Sequence, residues 1–215
     1  MGRNLTREQK AAQRAAISGS GPTRRNDSDA PVPVAAFQMF GEAMLTGILV
    51  AVASLPIVTL PVALAAGARH LRAFIRGDAS HWADFWREIR AGIAGSAGLG
   101  LGLLALSLIF VANTALAKTG ALPGGVGIAW LTGAVTVAAA TAIVMAGTVW
   151  DPETGWLVAL RAVPALAGAD VLGAVLFVVS IVLVVFLTMV LVPLIVPLLG
   201  VVALAMVAIP MRKGF

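Results

Sequence analysis

The sequence predicts an all-α, polytopic transmembrane helical bundle of about six spans, with short interfacial helices. The first observation is composition: 60% of the 215 residues are apolar, 12% are charged, and the mean hydropathy is +0.97. A soluble domain of this length needs far more charge to cover its surface. The second is that several stretches long enough to cross a bilayer carry no charge. The third is that basic residues gather at the ends of these stretches.

The first 33 residues are predicted to form a flexible, basic, cytoplasmic tail. Six lysine and arginine residues occur before residue 26, and no apolar core appears before Val34. This pattern differs from that of a secretory signal peptide. The Gly, Ser and Pro content of residues 19–33 is typical of a linker. A solvated tail is the favoured interpretation, and docking on anionic lipid or a partner is the alternative.

Four spans follow from the charge-free stretches 91–117, 119–150 and 171–211. The last has 41 residues and would extend about 61 Å as a continuous helix. That is about twice a hydrocarbon core of ~30 Å, so the stretch should hold two spans. Pro193 and Pro197 mark the expected turn between them. The four predicted spans lie near residues 92–116, 126–148, 170–191 and 194–211.

Two further spans are predicted near residues 34–54 and 57–76. The second would end in arginines that snorkel to the interface. With six spans, both termini lie on one side together with 14 of the 15 Lys and Arg residues, and only Lys118 lies opposite. The positive-inside rule then places both termini in the cytoplasm. The richness in Ala, Val, Gly and Leu suits a high-GC bacterial genome, hence a bacterial plasma membrane. Five spans, with the first two helices merged, is the alternative.

The segment PIVTLP, from Pro56 to Pro61, separates the first two predicted helices. Its prolines disfavour a continuous helix, and the Thr59 hydroxyl can bond a carbonyl left free by them. A tight turn between two helices is the favoured interpretation. A broken helix lining a cavity, as in transporters, is the alternative.

Two segments are predicted to form short interfacial helices on the cytoplasmic side. Residues 81–90 place Trp82, Phe85, Trp86 and Ile89 on one helical face, with charged residues opposite. Residues 151–164 begin with an Asp-Pro pair suited to helix initiation. Each segment leads into a predicted span.

Glu42 is the only acidic residue well inside an apolar segment. An unpaired carboxylate there is costly, so a partner is expected. The favoured interpretation is a structural ion pair with Arg69 or Arg72 of the returning helix. The alternative is a proton- or cation-coupled residue on a transport path.

Gly98 and Gly102 form a GxxxG pair, which Ala94 extends by one turn. Small residues at this spacing let helices approach closely in lipid. Packing within the chain is the favoured role of this face, and self-association or a partner helix is the alternative.

No residue cluster indicates catalysis, a cofactor or a metal. The chain has no cysteine, and it lacks a phosphate-binding glycine loop. His70 and His81 flank Asp78 and Asp84 but lack metal-ligand spacing, so a solvated interface is expected for them. The grouped basic residues indicate membrane orientation, so nucleic acid is not an expected partner.

Residues 40–104 carry three features of a known family. These are SLPIVTLP (54–61), ALAAGARHLRAFIRG (63–77) and DFWREIRAG (84–92), and ALRAVPAL (159–166) follows later. In these features the chain resembles the YesL-like family of bacterial membrane proteins. The resemblance implies a small multi-span protein, often encoded beside carbohydrate-uptake transporters, with no established enzyme activity. It transfers no catalytic residue.

The leading functional hypothesis is a non-enzymatic membrane protein that assists or regulates a carbohydrate uptake system through helix contacts. Its expected partners are the lipid bilayer and either a transporter subunit or a second copy of the chain. The alternative is a small stand-alone transporter in which Glu42 and Pro56–Pro61 line the path. A membrane enzyme is disfavoured because paired carboxylates and metal ligands are lacking.

Overall fold

The computed structural model describes residues 32–78, 82–120 and 123–212, and all regular structure in them is helical. The order is α1 (Val32–Ala53), α2 (Leu60–Ile75), α3 (Trp82–Thr119), α4 (Gly125–Val149), α5 (Gly155–Ala169), α6 (Val171–Val190), a 3₁₀ turn (Val192–Leu194) and α7 (Ile195–Met211). The predicted all-α membrane bundle is thereby confirmed. The described residues from 40 onward belong to one compact unit. The predicted tail lies almost wholly outside the described residues.

Four helical segments are long and apolar enough to cross a membrane: α3, α4, α6 and Val192–Met211. Three of the predicted spans agree closely with α4, α6 and α7. The two N-terminal helices exist as well, but neither has the length and apolar content of a spanning helix in its described residues. The six-span count therefore stays a prediction.

Helix α2 lies at the centre of the bundle, against α3, α4 and α7. Every residue from Pro61 to Ala68 is buried, and most of them are small. A Cβ atom at Gly67 would lie 2.7 Å from the Val50 side chain of α1 and 3.6 Å from Ala203 of α7. Small side chains thus let neighbouring helices close around α2, which is how helices associate without a hydrophobic driving force.

Helices α1 and α7 cross at a pair of glycines. A Cβ atom at Gly47 would lie 2.6 Å from the Val196 carbonyl oxygen and 3.1 Å from the Gly200 Cα atom. The two backbones are therefore in direct contact, and a larger residue at either glycine would separate the helices.

Helix α3 is continuous over 38 residues, or about 57 Å. The predicted interfacial helix covers residues 81–90, and its described part, residues 82–90, forms the first turns of α3. No proline occurs between residues 82 and 92 to end the helix there. Phe85 and Ile89 of the predicted apolar face are buried, whereas Trp82 and Trp86 are exposed. The second predicted interfacial segment does form a separate helix, α5, whose Trp156 stacks on Trp150 with ring centroids 5.5 Å apart.

Candidate functional site

An ionic cluster joins three elements at one end of the bundle. The Arg69 Nε atom of α2 donates to Glu88 Oε1 of α3 at 2.9 Å, and its Nη1 atom donates to Asp151 Oδ2 at 2.8 Å. Asp151 lies between α4 and α5. One guanidinium therefore binds two carboxylates through charge-assisted hydrogen bonds, which are stronger than neutral ones. Sequence reasoning had identified Arg69 but neither of its partners.

Asp151 is held in its charged form by its own turn. The backbone N–H of Glu153 donates to Asp151 Oδ1 at 2.9 Å. This hydrogen bond, followed by the one from Arg69, lowers the pKa of Asp151. The carboxylate therefore stays ionised at neutral pH. Its contribution to stability is present above its ordinary pKa and is lost as the pH falls through the lowered value.

The carboxylate of Glu42, whose side chain is 17% exposed, pairs with a residue other than those predicted. His70 Nε2 lies 2.9 Å from Glu42 Oε1, and the His70 side chain is 4% exposed. The prediction of Arg69 or Arg72 as the partner is wrong. Successive residues of a helix point about 100° apart, so Arg69 faces α3 and the α4–α5 turn while His70 faces α1.

The burial of His70 also corrects the expectation of a solvated histidine interface. His70 lies against α1 inside the bundle, whereas His81 lies outside the described residues. Within the described ranges, no group of three or more His, Cys, Asp or Glu residues is arranged to hold a metal ion.

A polar cleft of about 320 Å³ opens beside this cluster, between the second half of α2 and the first turns of α3. Its charged lining comprises Arg69, Arg72, Arg76, Asp78, Asp84, Arg87 and Glu88, with His70 at its inner wall. Arg72 is half-buried and donates from Nη2 to the Thr148 carbonyl of α4 at 3.2 Å. The cleft is therefore rich in guanidinium groups.

The PIVTLP segment forms a turn, the interpretation favoured from the sequence. Helix α1 ends at Ala53 and α2 begins at Leu60, with the buried Pro61 in its first turn. The Thr59 hydroxyl donates to the Ala53 carbonyl oxygen, which is the carbonyl-bonding role predicted for it. Ile57 has a φ of +48°, a strained value for a β-branched residue.

The outer side of this turn is open. Leu55 is 78% exposed and Ile57 is 54% exposed, and Pro56 between them is also exposed. The inner side packs on α3, because a Cβ atom at Gly100 would collide with the backbone of Val58. Gly100 is therefore the α3 residue that admits the turn.

The position of Gly100 along α3 shows how far the α1–α2 hairpin extends beside that helix. Gly100 lies ten residues after Arg90 and eighteen before Lys118, or about 15 Å and 27 Å along the helix. The turn thus meets α3 inside its charge-free stretch, well short of the α3–α4 turn.

A second cavity, of about 210 Å³, lies at the first turn of α2 and is almost entirely apolar. Leu60, Pro61 and Leu64 line it together with residues of α3, α4, α6 and α7. Its two hydroxyl-bearing residues, Ser107 and Thr136, donate to carbonyls within α3 and α4. The cavity therefore offers no free polar group to a solute.

Gly98 and Gly102 do not pack within the described part of the chain. Apart from neighbouring residues and the backbone of α3 itself, no described atom lies within 4 Å of a Cβ built at either position, so the packing predicted for them is not found among the described residues. The close contacts are made by Gly92 and Gly100, which face α2 and its turn. Because Gly98 and Gly102 are each two residues from Gly100, they point about 160° away from it.

No family model, no curated protein and no solved structure matches the chain. The resemblance of residues 40–104 to the YesL-like family therefore stays a prediction from the sequence.

We expect Arg69→Ala to destabilise the bundle by about 1–3 kcal/mol, because Glu88 and Asp151 both lose their cationic partner. The matched control is Arg87→Ala, since Arg87 pairs with Asp84 at 2.7 Å but its side chain is 76% exposed. Its expected loss is under about 1 kcal/mol. Thermal unfolding in detergent measures both, and equal losses would contradict a central role for Arg69.

Proposed function

We propose that this protein is a non-enzymatic membrane protein that binds a transmembrane partner, as an accessory or regulatory component of a carbohydrate uptake system. The supporting observation is the α1–α2 hairpin, which presents an exposed apolar turn opposite the middle of α3. The proposed role in carbohydrate uptake rests on the resemblance of residues 40–104 to the YesL-like family. The proposed location is the bacterial plasma membrane with both termini in the cytoplasm, on the charge asymmetry of the sequence.

Three lengths support insertion of this hairpin to about half the depth of a bilayer. Eleven residues separate Glu42 from the end of α1, and nine separate the start of α2 from Arg69. These distances are about 16 Å and 14 Å, and Gly100 lies about 15 Å from Arg90. All three are close to half of a ~30 Å hydrocarbon core. On this basis α1 and α2 form a re-entrant hairpin beside four full spans.

Such a turn requires a protein cover. Irregular backbone at membrane depth is tolerated only where it is buried in protein or lines a water-filled cavity. The outer side of the turn, at Leu55 and Ile57, is exposed, and the neighbouring cavity is apolar. A partner helix seated on the turn would satisfy this requirement, as would a second copy of the chain.

The absence of cysteine from the sequence makes the hairpin depth directly measurable by cysteine labelling. We expect a membrane-impermeant maleimide to label Lys118→Cys from outside the cell and Glu153→Cys from inside. Leu55→Cys should react from neither side in intact membranes but should react after denaturation. Labelling of Leu55→Cys from the same side as Lys118→Cys would establish six full spans, and labelling from the Glu153 side would place the turn at the surface.

The Gly98–Gly102 face, on the side of α3 turned away from Val58, is a second exposed surface at which partner binding can be tested. We expect Gly98→Leu with Gly102→Leu to lower the crosslinked yield of the partner about tenfold or more, which a loss of ~1.4 kcal/mol in contact energy produces. Stability should change by less than ~0.5 kcal/mol, because nothing in the described chain lies near these glycines. Crosslinking in native membranes followed by purification of the tagged chain measures the yield.

The control is Gly100→Ala, which should destabilise the bundle by about 1–3 kcal/mol through overpacking against Val58. Recovery of a transport component supports the accessory role, and recovery of the chain itself supports self-association. If crosslinking recovers no consistent partner, the accessory proposal is wrong.

A second candidate function is a small transporter, favoured by the Glu42–His70 pair. This pair is largely buried between α1 and α2, yet His70 also lines the polar cleft. A titratable pair in contact with an aqueous cleft is the arrangement that proton-coupled carriers use.

For this candidate we expect Glu42→Gln to abolish uptake in proteoliposomes while the protein remains folded, because the variant removes the ionisable carboxyl group. The matched control is Glu153→Gln, an exposed carboxylate outside the bundle, which should leave uptake unchanged. Uptake that survives Glu42→Gln would remove Glu42 from any transport mechanism.

A further inference from the structure

The polar cleft between α2 and α3 contains two guanidinium groups that no described carboxylate binds directly. Arg69 is bound by Glu88 and Asp151. Arg87 lies 2.7 Å from Asp84. Arg72 and Arg76 have no carboxylate within salt-bridge distance among the described residues, and Asp78 is the remaining acidic residue of the lining. The four arginines are matched in number by Asp78, Asp84, Glu88 and Asp151, but the guanidinium groups of Arg72 and Arg76 make no ion pair with the described residues.

Arg72 in the last turn of α2 and Arg76 at its C-cap are four residues apart, so their side chains lie on the same helical face. Arg72 is half-buried and uses a single hydrogen bond, to the Thr148 carbonyl oxygen. A guanidinium group has five N–H donors, so most of the donors of Arg72 have no hydrogen-bond acceptor among the described residues. Two neighbouring cations of this kind repel each other unless an anion lies between them.

We propose that this cleft binds a phosphate group, held by Arg72 and Arg76. The planar guanidinium fork matches the oxygen geometry of phosphate and binds it through two parallel hydrogen bonds. A volume of about 320 Å³ accommodates a phosphate with its substituent. The site is distinct from the helix-packing surfaces, so it stands independently of the proposed function.

The source of the phosphate is either an anionic lipid headgroup or a soluble phosphate compound. The cleft lies at the charged end of the bundle, beside the Arg69 cluster and the first turns of α3. Basic pockets between membrane helices at the cytoplasmic surface bind lipid headgroups in this way. The same donors would bind a free phosphate, so the two sources share one chemistry.

The test measures binding by the full chain in nanodiscs of zwitterionic lipid, with short-chain phosphatidic acid and inorganic phosphate as separate probes. We expect the double variant R72Q/R76Q to bind the effective probe about tenfold or more weakly, since the lost charge-assisted hydrogen bonds exceed the ~1.4 kcal/mol that corresponds to tenfold. The matched control R161Q removes an exposed arginine of α5, which does not line the cleft. It should leave binding unchanged.

The two probes separate the two sources. Binding of phosphatidic acid but not of inorganic phosphate identifies a lipid site, and binding of inorganic phosphate alone identifies a site for soluble phosphate. If R72Q/R76Q does not fold, R76Q alone replaces it, because Arg76 is exposed and its loss leaves the packing intact. The proposal fails if neither probe binds, or if R161Q weakens binding as much as the cleft variants do.

Discussion

The requirement that charge and irregular backbone find partners inside the protein governs this structure. In lipid, water cannot satisfy a carboxylate or an open turn. The bundle meets the requirement for charge by gathering its ion pairs at one end, where Arg69 binds Glu88 and Asp151 and where Glu42 meets His70. These contacts fix α2 against α1, α3 and the α4–α5 turn. The polar cleft lies beside these ion pairs, and Arg72 and Arg76 in its lining have no carboxylate within salt-bridge distance among the described residues.

Small residues make the central position of α2 possible. Five of the eight residues in the buried run from Pro61 to Ala68 are alanine or glycine, so neighbouring helices pack close to its backbone. Gly67, Gly92 and Gly100 each occupy a point where a Cβ atom would collide with a neighbour. The Gly100 contact also sets where the α1–α2 turn meets α3. The small residues of α2 and α3 therefore explain both the close approach of the helix backbones and the position at which the turn contacts α3.

The sequence was sufficient for the class of fold and for the helices that are long and free of charge. The α4 and α6 boundaries follow from charge-free stretches, and the turn at residues 54–59 follows from its prolines. Pairing depends instead on the rotational phase of each helix. A difference of one residue decides that His70 rather than Arg69 reaches Glu42. A difference of two residues decides that Gly100 packs while Gly98 and Gly102 face outward, and no motif spacing encodes that choice.

The packing around α2 bears on the choice between the two proposed functions, partner binding and transport. The polar cleft lies along its second half and the apolar cavity at its first turn. Between them a Cβ atom at Gly147 would lie 2.6 Å from the Met206 side chain and 3.6 Å from Ala65, so the helices are in full contact there. A carrier in this conformation would need a polar route past these residues, and the described lining provides none. Opening a polar route would break the packing that holds α2 in place. Partner binding requires no such opening, because the turn and the Gly98–Gly102 face are already exposed, and this favours the contact role over transport.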